Sequence, residues 1–291
     1  MKLWTSPHCT PLPDYRQRTV LMGILNVTPD SFSDGGAFAG VDNALRQAEV
    51  LVAEGTDIID IGGESTRPGA DKVEAREERE RVLPVIQAIR QHFPRMPLSI
   101  DTYKAEVADA AIESGADLIN DVWGFSHGLP ETPSREDHLS PMASVAARWN
   151  CPAILMHNRP KPIEEDFWPT FLSESRAMIG RATKAGLPDE QIWIDPGFGF
   201  GKTPAQNLEI LRSLERFVGL DYPVLLGTSR KSTLGLVLAA EVDQRHPGTA
   251  ATNIWGIAKG CRMVRVHEVA RLRPYLKLCE AMQQGLNYSF P

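Results

Sequence analysis

The sequence predicts an α/β protein built as a single (β/α)8 barrel, the TIM-barrel fold, and three observations support this prediction. Eight short apolar runs rich in Val, Ile and Leu recur along the chain, and they are continuous, as in parallel strands buried on both faces. Segments long enough for a helix separate most of these runs. The length of 291 residues suits one barrel domain. A doubly wound open sheet is the structural alternative.

The predicted strands, in chain order, are residues 19–27, 57–63, 96–101, 116–121, 152–157, 191–197, 223–227 and 261–267. The helix over 41–55 is expected to end with Gly55 as its C′ residue. The helix over 104–115 has one apolar or small face, formed by Val107, Ala110, Ala111 and Ser114. Pro84 is expected to kink or split the helix over 78–90, because proline lacks the backbone N–H donor.

The domain division follows the same pattern. Residues 1–16 contain several prolines and no periodic pattern, so we expect an irregular N-terminal segment, with the barrel domain over 17–285. Residues 124–141 are polar, with three prolines and two histidines, and they predict a long loop after the fourth strand.

The charge balance limits the possible partners. The chain has 31 Lys and Arg against 37 Asp and Glu, a net charge of −6, so we expect no nucleic-acid partner and no anionic membrane partner. No apolar run reaches the roughly 18 residues of a membrane span, and the first ten residues do not resemble a secretory signal. Four cysteines lie far apart, which is typical of buried free thiols in a reducing cytosol. We therefore expect a cytoplasmic protein.

Polar residues lie in or just after the C-terminal part of every predicted strand, and barrel enzymes keep their active sites at the C-terminal ends of the strands. A single Asp or Asn there is also explained as the N-cap of the next helix. Polar endings on all eight strands instead favour a ring of side chains around one pocket. In strand order they are Asn26, Asp60 with Glu64, Asp101, Asn120 with Asp121, His157 with Asn158, Asp195, Ser229–Arg230–Lys231, and Arg265 with His267.

The segment DPGFGFGKT, residues 195–203, has the glycine content of a nucleotide-binding loop but not its spacing. A P-loop requires glycine at position 196, which is Pro196, and the glycines at 197, 199 and 201 do not fit G-x-G-x-x-G. We expect a tight loop over the barrel mouth whose glycines let the backbone approach closely. Phe198 and Phe200 are candidates to cover a flat ligand.

Several candidate residues point to a charged small-molecule substrate. Buried Asp101 and Asp195 are suited to accept hydrogen bonds from a flat heterocycle or to stabilise developing positive charge. Asn26 and Asp34 offer hard oxygen ligands for Mg²⁺. Four cations in predicted rim segments indicate an anionic substrate such as a phosphate, and these are Arg67, Lys202, Lys231 and Arg265. Two hydroxyls near the start of the helix after the seventh strand suit a carboxylate, and these are Ser229 and Ser232.

Together these segments resemble the dihydropteroate synthase family, folate-pathway enzymes of the pterin-binding TIM-barrel superfamily. The resemblance extends from about residue 22 to 268, in the order that the family shows. The matching segments are GILNVTPDSFSDGG, IIDIGGESTRPGA, SIDTYK, LINDV, IDPGFGFGK, GTSRKS and VRVHEV. The pair NVTPDSFSDGG and GGESTRPGA is highly specific for this family.

The resemblance implies a reaction between 6-hydroxymethyl-7,8-dihydropterin diphosphate and 4-aminobenzoate, giving 7,8-dihydropteroate and pyrophosphate. It implies Mg²⁺ as cofactor, an SN1-like course in which pyrophosphate leaves before the arylamine attacks, and inhibition by sulfonamides. Two loops, Thr28 to Gly36 and Ser65 to Ala70, would close over the site and exclude water. The family usually forms homodimers through helices on the barrel's far side from the substrate loops.

The resemblance also assigns roles to particular residues. The pterin would be bound by Asp101, Asn120, Asp195 and Lys231. Pyrophosphate would be held by Asn26, Arg265 and His267, and Mg²⁺ by Asn26 and Asp34. The 4-aminobenzoate pocket would consist of Phe32, Thr66, Arg67, Pro68, Phe200 and Ser232. The catalytic set would be Asp101, Arg67, Lys231, Arg265 and His267, with a general base as the alternative role of His267.

Two departures and two rival interpretations remain open at this point. The fifth strand runs into MHNRP, where the family more usually shows a form like M-H-M-x-G, and the 124–141 loop is longer than usual. A methyltetrahydrofolate–corrinoid methyltransferase shares the barrel and the pterin-binding carboxylates, but it has no reason to keep the SRKS, RVH and STRPG segments. A catalytically silent paralogue that binds pterin is the second rival.

Overall fold

The computed structural model describes residues 3–27, 36–65, 71–129, 139–287 and 289. Its strands are β1 (Val20–Asn26), β2 (Ile58–Gly62), β3 (Leu98–Asp101), β4 (Leu118–Asp121), β5 (Ala153–Met156), β6 (Ile192–Asp195), β7 (Leu225–Leu226) and β8 (Met263–Val266). Each lies inside one of the eight predicted runs, because a continuous apolar segment fills both the barrel interior and the layer beneath the helices.

The strands form one parallel sheet in the order β6-β5-β4-β3-β2-β1-β8-β7. A parallel bridge between Ile194 and Val224 joins the two ends of this order, so the sheet closes on itself. The predicted (β/α)8 barrel is confirmed, and the open-sheet alternative is wrong. In the described part of the chain, no helix is both long enough and apolar enough to cross a bilayer.

The helices cover the outside of the barrel. They are α1 (Gly36–Ala53), α2 (Ala75–His92), α3 (Ala105–Glu113), α4 (Pro141–Trp149), α5 (Phe167–Lys184), α6 (Pro204–Arg212), α7 (Glu215–Val218), α8 (Ser232–Leu238), α9 (His246–Ala258) and α10 (Val269–Gln284). In the described part of the chain, short 3₁₀ turns occur at Asp189–Gln191, Val242–Gln244 and Gly285–Asn287.

Local chemistry explains where several helices begin and end. Gly55 follows α1 with φ of +87°, the left-handed conformation expected of a C′ glycine. Thr203 and Gln206 form a reciprocal capping box at the start of α6. Pro84 does not split α2, which is continuous through it. Proline removes only one backbone hydrogen bond, and the buried stripe that includes Val82, Val85 and Ile86 outweighs that loss.

The buried face of α3 is rotated slightly from the predicted one. Val107 and Ala111 are buried as expected, but Ala108 and Ile112 complete the face in place of Ala110 and Ser114. The thiol prediction is also wrong at one position, because Cys9 is exposed whereas Cys151, Cys261 and Cys279 are buried.

An aromatic cluster closes the N-terminal end of the barrel, called the base below. No helix or strand occurs in residues 3–18, as expected of an irregular segment, yet the segment is firmly packed. Trp4 and Tyr15 are 3% and 6% exposed. Their rings lie 4.7 and 4.8 Å from the buried ring of Trp193 in the barrel interior. The Ser6 hydroxyl donates to Asp117 at 2.5 Å and ties the segment to the start of β4.

Candidate active site

The C-terminal ends of the strands bring buried polar side chains together at the mouth of the barrel. Residues two apart on a strand point to the same side, so the interior position above Trp193 is Asp195. The register places Asp101 beside Gly62 on one side and Asn120 on the other. The side chains of Asp60, Asp101, Asn120 and Asp195 are all at least 90% buried. These four side chains, called the acidic ring below, form part of the ring predicted from the strand endings.

Arg265 connects this ring across the barrel. Its Nε lies 2.6 Å from Oδ2 of Asp60, and its Nη2 lies 2.5 Å from Oδ2 of Asp101. Asn120 Nδ2 donates to the same Asp60 oxygen at 3.0 Å. The second oxygens of Asp60 and Asp101 are buried and have no hydrogen-bond partner within the described residues. Because buried acceptors rarely stay unsatisfied, these two oxygens suit the N–H groups of a ligand.

Burial changes the acidity of the ring. It raises the pKa of Asp101 to about 7, although the neighbouring Arg265 guanidinium acts in the opposite direction. It also raises the pKa of Asp195 to about 6, against a backbone N–H bond of 2.7 Å from Gly197. Burial lowers the pKa of Arg265, but the charges of Asp60 and Asp101 outweigh it and raise the net value. The guanidinium therefore remains charged in the interior.

The glycine loop, residues 195–201, passes close to other backbone segments. Gly197 and Gly201 have φ of +68° and +54°. A Cβ at Gly197 would lie 2.0 Å from the carbonyl oxygen of His157, and one at Gly201 would lie 2.2 Å from that of Arg159. Only glycine fits such contacts, so these glycines let the loop pack against the segment after β5. Their predicted close approach to a ligand stays a prediction.

The two phenylalanines of this loop have different positions. Phe198 is 1% exposed and packs in the core around the barrel, so its predicted role over a ligand is wrong. Phe200 is partly buried, and the Lys231 ammonium lies 3.8 Å from its ring centre. This distance defines a cation–π contact, which places Phe200 and Lys231 together at the mouth.

Lys202 is not the rim cation that the sequence suggested. Its Nζ turns inward and lies 3.1, 3.0 and 2.9 Å from the carbonyl oxygens of His157, Gly197 and Phe200. The amine is thereby committed to the protein backbone, and burial lowers the pKa of Lys202 to about 7. Arg265 and Lys231 remain at the mouth, and Arg67 lies outside the described residues.

The residues assigned to pyrophosphate and to the carboxylate lie around the same mouth. Asn26 ends β1 with an exposed side chain, and its Oδ1 is 3.9 Å from the position of a Cβ at Gly62. His267 Nδ1 lies 3.0 Å from the Ser229 hydroxyl after β7. Ser232 is exposed and is the first residue of α8.

Several predicted site residues lie outside the described residues, namely Phe32, Asp34, Thr66, Arg67 and Pro68. Across the described ranges, no group of three His, Cys, Asp or Glu side chains could hold a metal ion. Asn26 supplies an exposed amide oxygen at the mouth. That donor suits Mg²⁺, which keeps several waters and takes its other ligands from one or two side chains and substrate phosphates.

Two buried polar networks at the mouth were not recognised from the sequence. In the first, Lys104 pairs with both Glu64 and Glu78, and Tyr103 donates to Glu64 at 3.0 Å. This network fixes Glu64, which lies next to the last described residue before 66–70. The sequence signal was a lysine three residues after the end of the third strand, with no acidic residue four positions before or after it.

The second network contains Glu174, His157 and Lys202. His157 Nε2 lies 2.8 Å from Glu174, and His157 Nδ1 lies 3.1 Å from Lys202 Nζ. A cavity of about 970 Å³ borders this network between α5 and the segment after β4. It is lined by Met156, His157 and Glu174 but not by the acidic ring. The chemistry of the ring, not the volume of this cavity, locates the candidate active site.

A closed parallel barrel with buried carboxylates, an arginine and a lysine at its C-terminal mouth defines an enzyme of the (β/α)8-barrel class that acts on a small polar molecule. Comparison with known proteins narrows this class to one family. The family model described as "Pterin binding enzyme" matches residues 22–267. The dihydropteroate synthase of Bacillus subtilis (strain 168) is 48% identical over 268 residues, 92% of this chain and 90% of the relative.

Solved structures give the same result. A dihydropteroate synthase from Clostridium difficile, crystallised in the presence of pteroic acid, has a TM-score of 0.85 and 43% identity, covering 93% of this chain and 99% of its own. The enzyme of Xanthomonas albilineans with 4-aminobenzoic acid has a TM-score of 0.81 and 40% identity, covering 91% and 93%. The present chain belongs to the pterin binding enzyme family, and within it to the dihydropteroate synthases, which are transferases.

Proposed function

We propose that this chain condenses 6-hydroxymethyl-7,8-dihydropterin diphosphate with 4-aminobenzoate, releasing pyrophosphate and forming 7,8-dihydropteroate in folate biosynthesis. The observation that carries the proposal is the acidic ring, in which Arg265 forms salt bridges with both Asp60 and Asp101. The similar structures with pteroic acid and 4-aminobenzoic acid support the same substrate classes.

The pterin occupies the interior of the mouth in this proposal. Asp101 and Asp195 accept hydrogen bonds from its N–H edge, together with Asn120, and Lys231 lies on its carbonyl side. The buried, unpartnered Oδ1 of Asp101 supports this assignment, because a planar heterocycle with several N–H donors would satisfy it. The cation–π contact with Phe200 holds Lys231 where such a ligand would lie.

Asn26, Arg265 and His267 hold the leaving pyrophosphate. A guanidinium kept charged by Asp60 and Asp101 stabilises the negative charge that grows on the leaving group. Mg²⁺, bound through Asn26 and Asp34, would add further charge neutralisation there. Ser229 orients the His267 ring through its bond to Nδ1, which suits His267 as an anion-binding group.

The reaction follows an SN1-like course in this proposal, so departure of pyrophosphate leaves a positive charge on the pterin methylene. The ionised Asp101 carboxylate faces that charge and stabilises it. No nucleophilic side chain is needed. The arylamine attacks next, and its carboxylate is bound at Ser232, with Phe200 and the predicted residues Phe32, Thr66, Arg67 and Pro68 around the ring.

Sulfonamide inhibition follows from the same pocket, because a sulfanilamide has the shape and the aromatic amine of 4-aminobenzoate.

We further propose a cytoplasmic homodimer. Its support is a set of exposed apolar side chains on and beside the last three helices, a surface that a second copy would cover. These are Leu236, Val237, Leu238, Val242, Trp255, Tyr275, Leu278 and Met282.

The first test is to mix the purified protein with dihydropterin diphosphate and Mg²⁺ and to follow pyrophosphate release with and without 4-aminobenzoate. Release that requires the arylamine and yields dihydropteroate supports the synthase, and excess sulfonamide should suppress it. Chelation of Mg²⁺ should slow release without reducing pterin binding. Pterin binding with no release under any condition would favour the silent paralogue instead.

A further inference from the structure

The glycine loop carries Phe200 into the mouth but has few hydrogen bonds of its own. Within residues 195–201, the Gly197 N–H bonds Asp195, the Phe200 N–H bonds the Gly197 carbonyl, and the Gly199 N–H bonds Asn207. A loop with three glycines at positive φ has a high conformational entropy when it is not held. Something must therefore fix the position of Phe200.

The Lys202 ammonium is placed to do this. Its three N–H donors face the carbonyl oxygens of Gly197 and Phe200 in the loop and of His157 in the neighbouring segment after β5. One side chain thus crosslinks two stretches of irregular backbone. A Cβ at Gly197 would lie 3.1 Å from Lys202 Nζ, so the glycine also makes room for the ammonium.

His157 contacts Lys202, and Glu174 in turn contacts His157, so these two residues orient the lysine side chain. Lys202 Nζ also lies 3.1 Å from Nδ1 of His157, so one of its three N–H donors is shared between that nitrogen and a carbonyl oxygen; Nδ1 then accepts, and the imidazole carries its proton on Nε2. Nε2–H then donates to Glu174 of α5 at 2.8 Å. The Phe171 ring packs against His157, with a centroid distance of 4.5 Å. Burial lowers the pKa of His157 to about 4, in agreement with this neutral tautomer.

The chain of contacts continues to the candidate site. The Phe200 carbonyl accepts from Lys202, and the Phe200 ring contacts the Lys231 ammonium at 3.8 Å. The aliphatic part of Lys231 also touches the loop, because a Cβ at Gly199 would lie 3.0 Å from its Cδ. Displacement of the loop would therefore move both Phe200 and Lys231.

We propose that Lys202, oriented by His157 and Glu174, is a positioning residue that fixes Phe200 and Lys231 at the mouth of the active site. It acts through Phe200 and Lys231 and does not itself touch substrate. The inference rests on the proposed function for its kinetic consequence, but the anchoring of the loop does not depend on it.

The first experiment measures anchoring without any substrate. Hydrogen–deuterium exchange of the amides of 197–202 is compared in the free wild-type protein, Lys202→Met and Lys259→Met. Lys259 pairs with Glu215 at 2.8 Å on the surface, so it is a matched control for loss of a lysine charge. We expect faster exchange in the loop for Lys202→Met only, with an unchanged circular dichroism spectrum. Equal exchange in all three proteins would overturn the proposal.

The second experiment asks whether Lys202 acts through Phe200. We expect Lys202→Met to lower kcat/KM by about 10- to 100-fold, with a rise in KM for 4-aminobenzoate, because small misplacements of binding groups have effects of this size. In a Phe200→Leu background, the same substitution should have a smaller effect, because only its action through Lys231 remains. Additive losses in the double variant would refute positioning through Phe200.

Two substitutions of His157 separate its contacts if Lys202→Met proves unstable. Asn places its amide oxygen near Nδ1 and can keep the acceptor for Lys202, whereas Gln reaches the Nε2 position and can keep the donor to Glu174. We expect His157→Asn to retain more activity and slower loop exchange than His157→Gln. The reverse order would contradict the proposal. If the wild-type protein itself shows no turnover, the proposed function fails while loop exchange still decides the anchoring.

Discussion

The two ends of the barrel use the same strands for opposite purposes. On β6, Trp193 closes the base against Trp4 and Tyr15, while Asp195, the next interior residue, belongs to the acidic ring at the mouth. The base is filled with aromatic rings. The mouth holds buried carboxylate oxygens that have no partner within the described residues.

Each end contains a buried aspartate paired with an arginine, but the surroundings differ. Asp117 at the base accepts from Arg90, from the Ser6 hydroxyl and from the backbone N–H of Leu98, so both of its oxygens are satisfied. Asp101 at the mouth accepts from Arg265 through one oxygen only. A satisfied buried carboxylate stabilises the fold, whereas a partly satisfied one costs stability and is available to a ligand.

The largest expected effect comes from changing these two aspartates separately. Asp101→Asn should lower kcat/KM by about 10³-fold, because the charge that faces the developing cation is lost, while its stability is unchanged or increased. Asp117→Asn should lower the free energy of unfolding and leave kcat/KM of the folded enzyme close to the wild-type value. Steady-state kinetics and urea unfolding of both variants check this. Similar losses of activity in the two would remove the functional distinction between the ends.

A second substitution tests the base alone. Trp193→Ala should reduce the free energy of unfolding by about 3–5 kcal/mol, the usual cost of deleting a large aromatic side chain from a packed interior. The kinetic constants of the protein that remains folded should change by less than about threefold, since no side chain of the acidic ring at the mouth is altered. Thermal denaturation with kinetics at low temperature measures both quantities. A tenfold loss of kcat/KM would mean that the base controls the geometry of the mouth.

The pH dependence should separate stability from activity at the mouth. Because the folded pKa of Asp101 is raised to about 7 and that of Asp195 to about 6, the folded protein binds more protons than the unfolded chain between about pH 4 and 7. These groups therefore make the free energy of unfolding fall as pH rises through that range. Activity should rise over the same range as Asp101 ionises.

Urea unfolding and kcat/KM at a series of pH values between 5 and 8 check these opposite trends. The Asp101→Asn protein should lose part of the stability trend, whereas Asp117→Asn should keep it. An identical stability profile for wild type and Asp101→Asn would show that Asp101 does not have the raised pKa.

The smallest expected effect lies at the mouth end but outside the ring. Ser140 caps α4 by accepting from the backbone N–H of Ala143, so Ser140→Ala should cost about 1 kcal/mol of stability with no change in kinetics. Ser144→Ala is the control, because it removes a hydroxyl that donates to the Ser140 carbonyl and does not cap the helix. A change in KM for Ser140→Ala would show that a residue at the mouth end can affect substrate binding without belonging to the acidic ring.

The sequence predicted the barrel and most of the ring, because both depend on short-range patterns. Continuous apolar runs located the strands, and the polar residues at their C-terminal ends identified Asp101, Asn120, Asp195 and Arg265. The errors were made where packing between distant segments decides the outcome. Phe198 and Lys202 lie in the same predicted rim loop as Phe200, yet one enters the core and the other bonds three carbonyls.

By itself, therefore, the sequence determined the order of the elements, the family and the residue types at the mouth, since each follows from periodicity or from contiguous motifs. Only the tertiary structure decided which side chains meet. Arg265 is 205 positions from Asp60, and Lys202 is 45 positions from His157. Closure of the barrel brings these pairs together, and burial then sets their charges, because the cost of burying an ion depends on its spatial neighbours and not on its neighbours in sequence.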